Sequence, residues 1–169
     1  VPEAATRLAM LERGEADIVY GLPGELIDRV KKNPKMMLAP VLSGSFWLEF
    51  VGFQDPKSPF HDKRVRQAVS LAIDRAAIND AETGGFGKVS GNWINNDVQY
   101  GLEWPDLEFN LDKARQLMRE AGHPNGFTIK NYFISKSFFY PKVMTLTQEQ
   151  LKQLGINVEL QVVEHATFH

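Results

Sequence analysis

The sequence predicts a mixed α/β (α+β) fold, and three observations carry that reading. Val65, Ala68, Val69, Ala72 and Ile73 recur at the three-and-four spacing of one helical face. Leu111, Ala114, Leu117, Met118 and Ala121 repeat the pattern directly after Asn110. Residues 127–163 then read as strand, helix, strand, an order that suits a parallel crossover.

Taken from the beginning, Pro2-Glu3 opens a helix carrying Leu8, Ala9 and Leu11, with Gly14 as its stop. Asp17-Ile18-Val19-Tyr20 reads as a short strand and Gly21–Gly24 as a turn. A second helix is expected from Glu25 to Lys32, closed by Asn33-Pro34. Met36–Leu42 reads as another strand. Phe46–Phe53 is aromatic or branched at nearly every position, which favours a buried strand. Gln54–Pro59 is a turn-rich connector, and the composition shift at about residues 55–60 marks a lobe boundary or hinge. Asp62 and Asp74 stand where a carboxylate can cap a helix. The second of these helices has Ala77, Ile78 and Ala81 as its apolar face and ends at Gly84-Gly85. Residues 86–109 form a long loop with Phe86, Trp93, Tyr100, Trp104 and Phe109, of the kind that is usually functional. Asn110 caps the next helix, with Gly122 beyond its end. The strand Phe127–Ile134, the helix Phe139–Leu154 and the strand Ile156–Val163 complete the chain. In the last strand Val158, Leu160 and Val162 alternate with Glu159 and Gln161.

Composition narrows the function classes. The chain has 169 residues, 19 Lys+Arg against 21 Asp+Glu, and a formal net charge of −2, with no concentrated basic surface for nucleic acid. A fraction of 43% hydrophobic residues excludes general disorder. With no cysteine there is neither a disulfide scaffold nor a thiolate nucleophile. No apolar run reaches the ~18 residues of a membrane span. Val1 in first place, with a helix starting almost at once, leads us to expect a chain cut from a longer one.

The residues offer little for catalysis. His61 and His123 flank helix ends, while His165 and His169 have i,i+4 spacing but no third ligand, so no metal is expected. Gly84-Gly85-Phe86-Gly87-Lys88 lacks the spacing of a phosphate loop. The acids Glu12, Glu15 and Asp17, and Asp106 with Glu108, read as solvated neighbours. The serines show no nucleophile elbow. No catalytic residue and no cofactor is expected. The aromatic-bearing loop and Trp47 suit a ligand-binding module better than an enzyme.

The stretch Pro59-Phe60, Val65-Arg66-Gln67-Ala68 and Ala72-Ile73-Asp74-Arg75 is more specific. It resembles the family 5 extracellular solute-binding proteins of ABC importers, the dipeptide-, oligopeptide- and nickel-binding group. Ala9–Ile18, Phe50–Phe53, Asp112–Gly126 and Gln150–Phe168 are similar to further family segments in the same order, so the likeness covers essentially the whole chain. One departure is Gln54, where the family usually has asparagine.

The resemblance implies a fold like the type II periplasmic binding proteins. Residues 1–54 would end one lobe with a crossing strand, 55–60 would be a hinge-side connector, and 61–169 would begin the second, C-terminal lobe. It implies capture of peptides by lobe closure, delivery to a membrane permease, and no catalysis. Nickel, an opine or an oligosaccharide is the alternative cargo. Gly44, Ser45, Phe46 and Trp47 become cleft candidates with Trp93, and Gln54, Asp55, Pro56 and Pro59 hinge residues. Arg64 and Arg66 read as surface or interlobe salt-bridge residues. The implied location is periplasmic, or extracellular on a lipid anchor. The complete protein is expected to be monomeric, with dimerisation a product of truncation. The rivals from other classes are a small α/β hydrolase-like enzyme, which needs converging carboxylates or histidines, and a protein-interaction domain, which needs a large apolar patch.

Overall fold

Asp62 begins the helix from which the rest is built. Its carboxylate accepts from the Arg64 N–H at 2.8 Å, so α3 (Lys63–Ala72) starts with a capped first turn. Val65, Ala68, Val69 and Ala72 are all essentially fully buried, as their spacing predicts. Ile73 leaves the helical conformation at φ −94°, ψ 108°, which separates α3 from α4 (Arg75–Thr83). The other helices are α1 (Ala4–Glu12), α2 (Gly24–Lys31), α5 (Leu111–Glu120) and α6 (Tyr140–Leu151). Two strands, β1 (Thr128–Ile134) and β2 (Asn157–Val163), pair in parallel with Thr128 opposite Asn157. The computed structural model describes residues 1–41, 48–50, 52–91, 105, 107–134 and 140–163.

The chain divides into two compact units. One joins Val1–Ser43 with Ala76–Lys88, and the other joins Gly44–Arg75 with Val89–His169. Residues 76–88 therefore group with the N-terminal segment, and the connector 55–60 lies inside the second unit.

In the first unit Leu8, Ile27 and Val30 are buried. The Glu12 carboxylate receives the Arg29 guanidinium, which links α1 to α2 at the surface. The start of α2 lies hard against the end of α4, where a Cβ added at Gly24 would stand 2.6 Å from the Ala81 carbonyl oxygen. Two expectations fail here. Asp17–Tyr20 and the described part of Met36–Leu42 are not strands, and Ile18, Tyr20 and Met37 are each 86% exposed. A β-branched, aromatic run becomes a strand only when another strand meets its backbone groups, and no described strand pairs with either run. On α4, Ala77 is exposed and Glu82 is buried, so the apolar face drawn through Ala77 is also corrected.

The second unit has the larger core. The α3 and α5 helices pack together, with Ala68 and Ala72 buried on the first and Ala114 and Met118 on the second, and small side chains permit close approach. Asn110 does two jobs at this contact. Its side chain accepts from the Lys113 N–H at 3.0 Å, and its own N–H donates to Leu71 O at 2.8 Å, meeting one of the carbonyls left open at the end of α3. α5 ends as expected at Gly122, φ +83°, with the His123 N–H donating to Met118 O at 2.8 Å.

The crossover unit forms as the sequence predicts. Val143, Met144, Thr147 and Leu151 are the buried stripe of α6, and Leu154, Ile156 and Val158 continue the core. Alternation along β2 holds through Leu160 and then fails, since Val162 is 60% exposed. Among the described residues nothing covers it. The Phe46–Phe53 strand is corrected where it is described: Gly52–Gln54 is a turn, and Phe53 is 43% exposed.

Candidate functional site

The connector from Gly52 to Asp62 is a run of turns closed on themselves. The Asp55 N–H donates to Gly52 O at 3.0 Å, and the Ser58 N–H to Asp55 O at 2.9 Å. The Asp55 side chain accepts from the Lys57 N–H at 2.9 Å, an Asx turn. Ser58 caps the single turn Pro59–His61 by accepting from the Phe60 N–H at 3.3 Å. Gln54, Asp55, Pro56 and Pro59 are thus gathered in one short span, with the first three exposed.

Helix α3 fastens this span from its first turns. The Arg66 guanidinium donates to Phe60 O at 2.6 Å and His61 O at 3.0 Å, and its carbon lies 5.3 Å from the centre of the Phe53 ring. His61 Nδ1 is 3.1 Å from Phe53 O, so it carries the proton there. A chain of rings runs beneath: Phe50 to Phe60 at 5.0 Å, Phe60 to Phe127 at 5.8 Å and Phe127 to His123 at 5.2 Å between centroids. The family-like Pro59-Phe60 pair therefore joins the segment before the connector to the start of β1.

Asp62 and Arg64 form the charged part of the site. The Arg64 side chain pairs with the Asp62 carboxylate at 2.6 Å and donates to Glu120 O, at the end of α5, at 2.8 Å. The arginine's hydrogen bonds, then the capping backbone N–H, hold the Asp62 carboxyl at about 2. Its folded value lies below its unfolded value near ~4, so the unfolded chain binds more protons between those limits. The stabilisation is complete above about pH 4 and is lost as pH falls toward 2. We expect Asp62→Asn, which keeps a cap but loses the charge, to flatten the fall of Tm over that interval. An unchanged pH profile by thermal denaturation would exclude the role.

At the far end of α3, Gln150 on α6 meets both backbone groups of Asp74. Its Oε1 accepts from the Asp74 N–H at 2.9 Å and its Nε2 donates to Asp74 O at 3.3 Å. Arg75 turns back on the same joint, donating to Ser70 O at 2.9 Å, Ile73 O at 3.1 Å and Ser70 Oγ at 3.2 Å. Burial draws the Arg75 guanidinium below its ordinary pKa. Neither role was legible in the sequence. The only signal is that Ala72-Ile73-Asp74-Arg75 interrupts one helix and starts another.

The remaining sequence candidates sort as follows. Gly44, Ser45, Phe46, Trp47 and Trp93 lie outside the described residues, as do His165 and His169. Arg64 is exposed, as the surface reading expects, and donates to Glu120 O, while Arg66 is half-buried and donates to Phe60 O and His61 O. Among the acids, Glu12 pairs with Arg29 and Glu15 with Arg13, while Glu108 accepts from Asn110 and Lys113. The Asn110 bond, then Lys113, lowers the Glu108 carboxyl. Among the described residues no three potential metal ligands come together. A hollow of about 180 Å³ between Met118, Pro124 and Leu154 is smaller than a typical ligand site of roughly 300–1,000 Å³.

Comparison with known proteins places this architecture. The family model for bacterial extracellular solute-binding proteins, family 5, middle region, matches residues 1–169. The chain belongs to that family. The glutathione-binding protein GsiB of Pectobacterium atrosepticum is 31% identical over 159 residues, 94% of this chain and 30% of the relative. The oligopeptide-binding protein AppA of Bacillus subtilis, solved with a nonapeptide, is 26% identical with TM-score 0.62, over 99% of this chain and 36% of that one. The periplasmic binding protein DppA of Helicobacter pylori, solved with the peptide STSA, has TM-score 0.72 at 23% identity, over 99% and 32% of the two chains. This family 5 chain thus spans about a third of the length of the relatives it matches. Its mixed α/β fold is that of the periplasmic binding proteins.

Proposed function

We propose that this chain is part of the substrate-binding component of an ABC importer, which captures a peptide between two lobes and delivers it to a membrane permease. The observation that carries the reading is the family match along all 169 residues, joined to relatives named for glutathione and an oligopeptide. Glutathione is itself a tripeptide, so both names describe one ligand chemistry. The protein works outside the cytoplasmic membrane in this reading, in the periplasm or on a lipid anchor, and it binds without converting its cargo.

In mechanism, the ligand favours the closed form only as far as it contacts that form better than the open one. Residues 1–54 end the first lobe and 61–169 open the second. Gly44, Ser45, Phe46, Trp47 and Trp93 face the ligand. Gln54, Asp55, Pro56 and Pro59 form the hinge-side anchor, and the turn network of the connector supports that part. With its turns closed and Arg66 fastened to it, the connector transmits a rotation as one piece.

The test is calorimetric titration of the complete protein with glutathione, dipeptides and longer peptides, beside nickel, opines and oligosaccharides. Saturable one-to-one binding of a peptide, with a negative heat-capacity change from buried apolar surface, is the expected result. Saturable binding of nickel, an opine or a sugar, with no peptide response, would overturn the peptide assignment.

A further inference from the structure

We propose that the runs Asp17–Tyr20 and Met36–Val41 are strand positions completed by an extended segment of the same polypeptide that lies outside residues 1–169. This rests on the reading above only in taking the chain as part of a longer protein. Both runs belong to the first compact unit and stand on either side of α2 in the sequence. Their side chains alternate as those of a half-covered strand do. Val19, Met36 and Leu38 are half-buried, while Ile18, Tyr20 and Met37 are almost wholly exposed and Ala39 and Val41 are exposed with them.

The backbone is as open as the side chains. Among the described residues no hydrogen bond is made by the N–H groups of residues 17–22, nor by those of Met37, Leu38, Ala39 and Val41. Successive residues of a strand offer their N–H and C=O to opposite sides, so the two sides of each run can be compared. On 36–41 the even-numbered side is already used: the Met36 N–H donates to Asn33 O at 3.0 Å, and Pro40 has no N–H to give. The odd-numbered side, Met37, Ala39 and Val41, is open along its length. On 17–20 the even-numbered side is likewise engaged, because Arg7 Nε donates to Tyr20 O at 3.2 Å, and the open side holds Asp17 and Val19. Each run thus keeps one side fit to receive a strand.

An edge meant for water is blunted by lysine, proline or a bulge. Ile18-Val19-Tyr20 and Met36–Ala39 carry no charge, and Pro40 stands on the side already used. Among the described residues the strands are β1 and β2, which pair with each other in the second unit, so neither run has a strand partner in its own unit. Polypeptide outside the chain is ample, since the match to GsiB of Pectobacterium atrosepticum takes in 30% of that relative. Strand addition draws its strength from main-chain hydrogen bonds and its register from alternate side chains. The occupant is therefore an uncharged stretch with branched or aromatic residues facing Ile18, Tyr20 and Met37.

The experiment uses the complete protein without ligand, so it does not depend on what the cargo is. The photo-crosslinker p-benzoylphenylalanine replaces Tyr20 or Met37, with the exposed Lys32 as control position, and crosslinked peptides are mapped by mass spectrometry. Hydrogen exchange is followed over residues 17–20 and 37–41. Light is expected to join positions 20 and 37, above the level at position 32, to a segment outside 1–169 within one polypeptide. The amides are expected to exchange on the order of a hundredfold or more slower than those of an open chain. Crosslinks that fall within residues 1–169, or at the mass of a dimer, would overturn the proposal in favour of another part of this chain or a second copy. Fast exchange with no crosslink above the control would overturn it in favour of a surface left to water. Protection that arises only on adding glutathione or trialanine would overturn it in favour of a ligand as the cover. The peptide reading is decided separately by the titration above, so failure of either leaves the other standing.

Discussion

Alanine at Gly126 is expected to destabilise the second unit by about 2–5 kcal/mol, one of the largest effects of a single methyl group among the described residues. Gly126 has φ +73°, and a Cβ there would stand 2.1 Å from both the carbonyl carbon and the oxygen of Gly155. Gly155 also has φ +73°, and a Cβ on it would lie 2.4 Å from Asn125 O. The two turns, one before β1 and one before β2, pass backbone against backbone with no side chain to yield. The Asn157 N–H donates to Phe127 O at 2.8 Å just beyond this contact, so a shift there disturbs the first pair of the parallel ladder. Both the left-handed conformation and the displaced backbone contribute, and each alone costs roughly 1–3 kcal/mol. Urea denaturation of the complete protein measures the loss. Gly122→Ala is the comparison, because Gly122 has a similar φ of +83° but nothing within 4 Å of its would-be Cβ. It is expected to show only the conformational part of the penalty. Equal effects at the two sites would contradict the close approach.

Truncation of Met118 to alanine is the second large expected effect, about 2–5 kcal/mol. Met118 is 2% exposed and lies with Ala114 on the α5 face that meets α3. Ala68 and Ala72 on the buried face of α3 are already small, and that helix is fixed by its own cap, so the α3–α5 contact has little room to collapse into the space. Met118→Leu roughly conserves volume and is expected to cost less than about 1.5 kcal/mol. A small loss for Met118→Ala in the same denaturation series would mean that the α3–α5 contact relaxes freely.

These two sites also show what the sequence could reveal. The buried faces of α3 and α5 were legible because a helix supplies its own hydrogen bonds, and only its spacing has to be read. Asp62 and Asn110 were legible as caps for the same local reason. Asp17–Tyr20 and Met36–Leu42 have the composition of strands, but strand formation depends on a partner that no local pattern reveals. The Gly126–Gly155 approach and the Gln150–Asp74 hydrogen bonds join residues 29 and 76 positions apart, and neither glycine nor glutamine announces its partner. Arg64 and Arg66 were conspicuous as charges, yet both bind carbonyl groups, which a sequence does not display as targets. Of the functional candidates, the connector residues could be placed, while the cleft group Gly44–Trp47 with Trp93 lies outside the described residues. Within the family-like stretch, Phe60, Arg66 and Arg75 hold the fold through their side chains, while Asp74 is held through its backbone by Gln150.

The most direct test of peptide capture is native mass spectrometry of the complete protein, purified gently enough to retain cargo. A discrete added mass, released on denaturation and fragmenting as a peptide, is the predicted result. An added mass that is nickel, an opine or a sugar, or an empty protein that also ignores glutathione and a peptide library, would contradict it.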